Sequence, residues 1–403
     1  MAANLDNKED ILLLVHRIPY PPNKGDKIRS YHILKHLARS HRVHLATFVD
    51  DADDWQHVPL VEKLCASSHF ARLNPKLARV RSLGALLANR SLSLDYYRDG
   101  GLRDWVAAAM REHGIGRILV FSSAMAQYAD DYPRAHRVVD FVDVDSEKWR
   151  EYAENKPWPA SLLYRHEAKQ LLRYERHVAA SSAASLFVSA PEAALFAGLA
   201  PESAARIGYF NNGVDTAYFS PEHAHASPYA AGERAIVFTG AMDYWPNVDA
   251  ARWFTAEALP RVQQACPGVR FYIVGARPSA AVQALARPDS VIVTGTVPDV
   301  RPYLAHAELS VAPLRVARGI QNKVLEAMAM AKACVVSPQA LEGIDAAPGS
   351  ELLLADGAAA FADTVISQLR AGDPAIGAAA RARVLARYSW QTNLASIEAQ
   401  LCN

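Results

Sequence analysis

The sequence lacks a bias of charge, any apolar run long enough to cross a bilayer, and any closely spaced cysteines. Lys plus Arg (43) nearly cancels Asp plus Glu (42) over 403 residues. That balance, without an aromatic-rich basic motif, excludes a general nucleic-acid-binding protein. The longest early apolar run, Ile11 to Val15, is far too short for a membrane span, and the polar start MAANLDNKED is not a signal peptide. Four cysteines (Cys65, Cys266, Cys334 and Cys402) stand far apart with no metal-ligand spacing. This usage fits a reducing cytoplasm, with Cys334 read as a core strand residue. What is present is globular: 51% hydrophobic and 21% charged residues, in a chain long enough for two α/β domains.

Strand-like and helix-like segments alternate. Ile11–Val15, Val43–Phe48, Ile118–Phe121, Val138–Val142 and Ser185–Val188 read as buried strands. A helical pattern from Lys27 to Ser40 and a charged helix from about Ser161 to Ala183 fall between them. The turn-forming cluster Asn211-Asn212-Gly213-Val214-Asp215 interrupts the series. It restarts with strands Ala235–Thr239, Arg270–Val274, Val291–Thr294, Leu309–Pro313 and Cys334–Ser337. Two Rossmann-like α/β domains are therefore expected, facing across a cleft with ligands at the carboxyl ends of the strands. Their expected limits are 1–213, completed by a C-terminal helix at 389–403, and 214–388.

The most informative stretch runs from Pro313 to Ala329 and reads strand, loop, helix. A glycine-containing loop feeding a helix N-terminus offers backbone N–H groups and the positive end of a dipole to phosphate. Arg315, Arg318 and Lys323 are cations for a diphosphate beside Gly319, and the Glu326 carboxylate can accept hydrogen bonds from both ribose hydroxyls. Lys323 and Glu326 lie about one helical turn, roughly 5 Å, apart. The alternative is that they pair with each other. Asp143 and Asp145, which end a strand in Asp140-Phe141-Val142-Asp143-Val144-Asp145, can bind or deprotonate an acceptor hydroxyl; otherwise they cap a helix. After the first strand comes His16-Arg17-Ile18-Pro19-Tyr20-Pro21-Pro22-Asn23-Lys24-Gly25-Asp26-Lys27-Ile28-Arg29, a loop whose charges read as solvated at Lys27 more readily than at Arg17 or Arg29. Arg72, Lys76, Arg79, Arg81 and Arg90 carry no intervening acid, and Leu73, Leu77, Val80 and Leu87 share a helical face. Segment 72–90 is thus either a surface for anionic lipid or an amphipathic helix packed on the sheet.

The stretch Gly319–x–x–x–Lys323–x–x–Glu326-Ala327-Met328-Ala329 resembles the donor site of family 4 retaining glycosyltransferases, which have the GT-B fold. The resemblance implies that Glu326 binds the ribose and Lys323 the donor diphosphate. Arg318 stands where the family places a first glutamate against the donor sugar, beside Ile320, Gln321 and Asn322. Phe238-Thr239-Gly240 resembles the first strand and glycine loop of the donor domain, so Gly240 joins Gly25 as a diphosphate-side glycine. Val293-Thr294-Gly295-Thr296-Val297 resembles the base-binding strand end, through Gly295 and Val297. Arg17, Asp143 and Asp145 are the implied catalytic side chains. Across Arg17–Tyr31, Val139–Trp149, Glu167–Arg176, Gly240–Asn247 and Arg315–Ala329 the chain is similar to sugar transferases associated with exopolysaccharide loci and the PEP-CTERM/exosortase system. The similarity implies a metal-independent hexosyltransferase without a cofactor. It would take a UDP- or GDP-linked sugar to a saccharide or lipid-linked acceptor, in the cytoplasm or at the inner face of the membrane. A GT-B nucleotide-sugar epimerase and a non-catalytic nucleotide-sugar-binding subunit are the alternatives.

Overall fold

The computed structural model describes residues 8–22, 25–154, 157–317 and 320–402. The chain divides into two compact units: Met1–Asn211 with Asn393–Asn403, and Asn212–Thr392. Each is a parallel sheet flanked by helices, as the βα alternation predicts.

In unit one the strands are β1 (Glu9–Val15), β2 (His41–Val49), β3 (Ser67–Arg72), β4 (Arg117–Phe121), β5 (His136–Val142), β6 (Ala184–Phe187) and β7 (Ile207–Tyr209), in the spatial order β3-β2-β1-β4-β5-β6-β7. Ile11 to Val15 are all fully buried, because helices cover both faces of a central parallel strand. Helix Gly25–Ser40 is tied to β5 through Arg29 and Asp140, both at 0% exposure. Arg29 donates from Nε to Asp140 Oδ2 (2.7 Å) and from Nη2 to Oδ1 (3.1 Å), and its guanidinium lies 3.5 Å from the Phe210 ring centroid. Lys27 also departs from a solvated reading. It is buried and pairs with Asp54 at 2.5 Å. Helix Trp390–Cys402 ends in this unit, where Glu398 pairs with His36 and Arg117 Nε donates to the Leu401 carbonyl at 2.8 Å.

Unit two has β8 (Arg234–Thr239), β9 (Val269–Val274), β10 (Val291–Gly295), β11 (Leu309–Ala312), β12 (Cys334–Val336) and β13 (Leu353–Leu354), in the order β10-β9-β8-β11-β12-β13. Cys334 is buried in β12, an ordinary core position. In each sheet the strand order reverses beside the first strand, between β1 and β4 and between β8 and β11. Ligands of such sheets bind outside the carboxyl ends at these points.

Candidate functional site

The carboxyl ends of β8, β9 and β10 in unit two carry Gly240, Gly275 and Gly295, all at positive φ (154°, 156° and 70°). The loops are stitched edge to edge: Gly240 N–H donates to the Val274 carbonyl (3.0 Å) and Gly275 N–H to the Gly295 carbonyl (3.3 Å). A Cβ on Gly275 would stand 1.6 Å from the Gly240 carbonyl oxygen, so only glycine allows the two backbones to meet.

Lys323, in the first turn of helix Asn322–Ala329, lies against this loop. Its Cε is 3.4 Å from where a Gly240 Cβ would be, and its ammonium donates to Gln321 Oε1 at 3.1 Å. Burial pushes Lys323 down to about 8, an effect Glu326 opposes. Burial also pushes Glu326 up to about 7, which Lys323 in turn opposes. No ion pair joins the two among the described residues, so the simple pairing alternative does not describe them. Thr239 Oγ1, Asn247 Oδ1 and Asn322 Oδ1 are buried here without a hydrogen-bond partner among the described residues. Unpartnered buried polar atoms are rare in folded proteins, and three around one loop cluster mark a place for a polar ligand.

The other expected donor residues are distributed as follows. Arg315 is engaged by Asp249, its Nε donating to Oδ2 at 2.9 Å. Arg318 and Gly319 lie outside the described residues. Ile320 and Val297 pack against the core of unit two, and Gly25 opens a helix of unit one. Gly275 is absent from the sequence reading, and Thr239 and Asn247 enter it only as parts of the stretches Phe238–Gly240 and Gly240–Asn247, without a role. Gly275 follows a strand just as Gly240 does, so the signal was there.

Unit one holds a pocket of about 290 Å³ beyond the carboxyl ends of β1, β4 and β5. Asp143, Asp145 and Lys148 line it together with Asp26 and His16. Strand β5 ends abruptly at Val142, whose φ is 69°, and the Asp143 N–H donates back to the Phe141 carbonyl at 2.9 Å. This is a tight three-residue turn through a β-branched residue in the left-handed region, and it aims Asp143 into the pocket. Ser122, after β4, is also left-handed at φ 78° and lines the same pocket. Two non-glycine residues in the left-handed region thus gather at one concavity, an arrangement that clusters at functional sites.

Lys148 Nζ donates to Asp143 Oδ2 (2.7 Å) and Asp145 Oδ1 (3.1 Å). Burial works against its charge, but the two carboxylates outweigh it and raise the ammonium above the ordinary lysine range. Beneath them Glu175 accepts from Ser146 Oγ at 2.5 Å, and burial, helped by Asp145, pushes it up to about 8. Arg17 is bound to Asp26 (2.7 Å) and Asp50 (2.8 Å), so its charge is spent on positioning Asp26. Asp26 stays well below the carboxylate range: burial opposes this, and His16 and Arg17 overcome it. His16 stacks on Phe121 with ring centroids 5.6 Å apart, its Nε2 is 3.4 Å from Asp26 Oδ2, and its Nδ1 is buried without a partner among the described residues. Three carboxylates against one ammonium favour hydroxyl groups over an anionic ligand.

One group of metal-ligand type occurs away from this pocket, at Asp10, His44 and His113. Both ring nitrogens of His44 are already hydrogen-bonded, to Ser67 and Asp10, and Asp10 is held by Arg42 as well. His44 and Asp10 are thus satisfied without an ion, and the exposed His113 stacks on His44 with ring centroids 4.2 Å apart.

Two parallel-sheet α/β units with loop sites at their strand ends define the GT-B class of fold. Residues 233–371 match the family model for glycosyl transferases group 1. None of the curated proteins matches the chain. Among solved structures, the chain is similar to sucrose-phosphate synthase from Thermosynechococcus elongatus, with 16% identity, coverage of 97% of this chain and 98% of that one, and a TM-score of 0.67. It is similar to Anabaena HepE in complex with UDP at 16% identity, covering 98% and 99% of the two chains, with a TM-score of 0.67. A glycosyltransferase from Rickettsia africae gives 14% identity, 98% and 100% coverage and a TM-score of 0.65. The matched domain and the shared fold support a glycosyltransferase.

Proposed function

We propose that the chain is a retaining glycosyltransferase of family 4 that transfers a hexose from a nucleotide sugar. Unit two binds the donor, and the pocket of unit one binds a saccharide acceptor. The carrying observation is the Gly240 loop with Lys323 against it and Glu326 one turn further on. Around them lie three buried polar oxygens without a partner among the described residues. HepE, a structural relative, has been solved with UDP and with UDP-glucose, which makes these the first ligands to try.

In this reading Lys323 and the helix N-terminus meet the diphosphate, and Glu326 accepts from the ribose hydroxyls, with Gly295 and Val297 toward the base. Ile320, Gln321 and Asn322 lie toward the donor sugar. The acceptor oxygen bonds to the anomeric carbon as the carbon–oxygen bond to the diphosphate breaks. The electron pair stays on the diphosphate, which also takes the hydroxyl proton. Asp143 and Asp145 orient the acceptor by accepting from its hydroxyl groups, and Arg17 keeps Asp26 in place beside them. No metal or cofactor has a part in this scheme. A lipid-linked acceptor and a role in exopolysaccharide synthesis, at the inner face of the membrane, complete the proposal.

Calorimetric titration with UDP, GDP and ADP tests the donor half. One of the uridine or guanosine diphosphates should bind, and Glu326→Ala should weaken it roughly tenfold or more, the scale of losing charge-assisted hydrogen bonds. Undiminished affinity in Glu326→Ala would refute the site. Sugar release from the matching nucleotide sugar only when an acceptor is present separates a transferase from an epimerase.

A further inference from the structure

Residues 75–87 of unit one are built inside out. The sequence suggests one amphipathic helix with Leu73, Leu77, Val80 and Leu87 on one face, but the chain forms helix Pro75–Ser82, then Gly84–Leu87, and Leu73 is buried ahead of them. The side chains turned toward the protein are small: Ala78, Ser82 and Ala85 are buried. The large apolar ones face outward, with Leu77 68%, Val80 70% and Leu87 96% exposed, and Leu83 and Leu86 beside them. A surface helix packed on its own sheet has the reverse arrangement. Singly exposed leucines are commonplace, but five large apolar side chains exposed along one short segment are more than a folded protein leaves to water without a use.

The charge around the patch has one sign. Between Glu62 and Asp95 there is no carboxylate, while Arg72, Lys76, Arg79, Arg81 and Arg90 are all exposed. Trp158 and Leu162, 77% and 54% exposed, belong to the neighbouring segment, where His166 is bonded to the Arg90 carbonyl at 3.2 Å. The patch is also fastened to the acceptor pocket. Arg81 Nη2 donates to the carbonyls of Asp95 and Tyr96, and Glu167 holds Ser91 Oγ and the N–H groups of Leu92 and Ser93. Ser93 and Tyr97 from this same segment line the pocket.

We propose that the outward leucine face of residues 75–87, with its surrounding arginines and lysine, seats unit one on an anionic lipid bilayer. Apolar side chains enter the acyl boundary while the cations meet anionic headgroups. A lipid-linked acceptor is thereby presented to the pocket next to the seated segment. This last step rests on the glycosyltransferase reading, whereas the seating does not.

The test uses the full chain and sedimentation with two kinds of vesicle, neutral phosphatidylcholine and phosphatidylcholine with about 30 mol% phosphatidylglycerol. The protein should favour the anionic vesicles by roughly tenfold or more and release them in high salt. Leu77→Ser/Val80→Ser/Leu87→Ser and Lys76→Gln/Arg79→Gln should each lower that binding by about tenfold or more. Circular dichroism and UDP titration of the same variants check that the fold and unit two are intact. Binding equal for both vesicles, absent, or unchanged by the substitutions overturns the proposal. So does a dimer in light scattering that the triple serine variant converts to a monomer, because the face would then pair two copies of this chain. Vesicle binding without nucleotide binding would leave the seating in place and reject the donor site; the converse would reject the seating alone.

Discussion

Gly275 and Gly240 touch through their backbones: a single methyl on Gly275 would sit 1.6 Å from the Gly240 carbonyl oxygen. The contact is backbone to backbone, so no rotamer change relieves it. It also sets the loop against which the Lys323 stem rests. Gly275→Ala should therefore destabilise unit two by about 2–4 kcal/mol, the range of a substitution forcing backbone shifts at positive φ. It should also weaken UDP binding. Gly295→Ala, where a Cβ meets nothing within 4 Å, should cost only the φ strain, about 1 kcal/mol. Urea unfolding of the two variants checks the order; equal costs would contradict the close-approach argument.

Lys323 and Glu326 are held where their charged forms are disfavoured, so the site should weaken the fold that carries it. Glu326 titrates near 7 in the folded chain against an ordinary glutamate value of 4.5. Between those pH values the unfolded chain has already lost the proton, so the contribution present below pH 4.5 is lost as pH rises toward 7. Lys323, lowered to about 8 from 10.5, adds a cost that develops as pH falls from 10.5 to 8 and is constant below that, so it does not alter the comparison of pH 7.5 with 4.5. Glu326→Gln should gain about 1–3 kcal/mol over the parent at pH 7.5 relative to pH 4.5, a figure held down by the opposing charge of Lys323, while losing nucleotide affinity. Urea unfolding at both pH values measures this. A difference that does not change with pH would reject it.

The sheets were legible because buried parallel strands such as Ile11–Val15 announce themselves as unbroken apolar runs. Edge strands escaped: β7 and β13 have three and two residues, too few to mark a period, and the six-residue β3, Ser67–Arg72, is half-buried and polar with no apolar run. Lys323 and Glu326 could be picked out because helix spacing is local. The pocket of unit one was legible only in part. Asp143, Asp145 and Lys148 belong to one loop and the first turn of the helix it feeds, but His16 and Asp26 reach them from the segment that follows β1, and only the strand order brings the two segments together. The exposure of Leu77, Val80 and Leu87 could not be read from periodicity at all, since a helical stripe does not say which side faces water.

Arg29 and Asp140 form an ion pair with no solvent access, bridging helix Gly25–Ser40 to β5. Removing one member strands the other charge in the core. Arg29→Met should cost about 3–5 kcal/mol, the usual penalty for an uncompensated buried charge. The double variant Arg29→Met/Asp140→Leu should recover part of the loss. Urea midpoints of the three proteins decide it, and a double variant no better than the single one would mean that the cost lies in packing against Phe210.

Asp143 and Lys148 offer a test of the acceptor pocket that leaves the nucleotide site untouched. Asp143→Asn keeps the shape and the hydrogen-bonding oxygen but removes the charge that Lys148 balances. The lysine then leans on Asp145 alone, and the pocket becomes more positive. Acceptor kcat/KM should fall by about 10²-fold, within the range of losing one positioned acid–base or hydrogen-bonding group. UDP affinity, set by residues of unit two, should stay within about twofold, well under 1 kcal/mol. Lys148→Met should act in the same direction, since it leaves Asp143 and Asp145 repelling each other beside the already protonation-prone Glu175, which titrates near 8. Steady-state kinetics against acceptor concentration, with UDP titration alongside, read both quantities. A loss of UDP affinity in step with activity would show that Asp143 acts on the donor rather than on the acceptor.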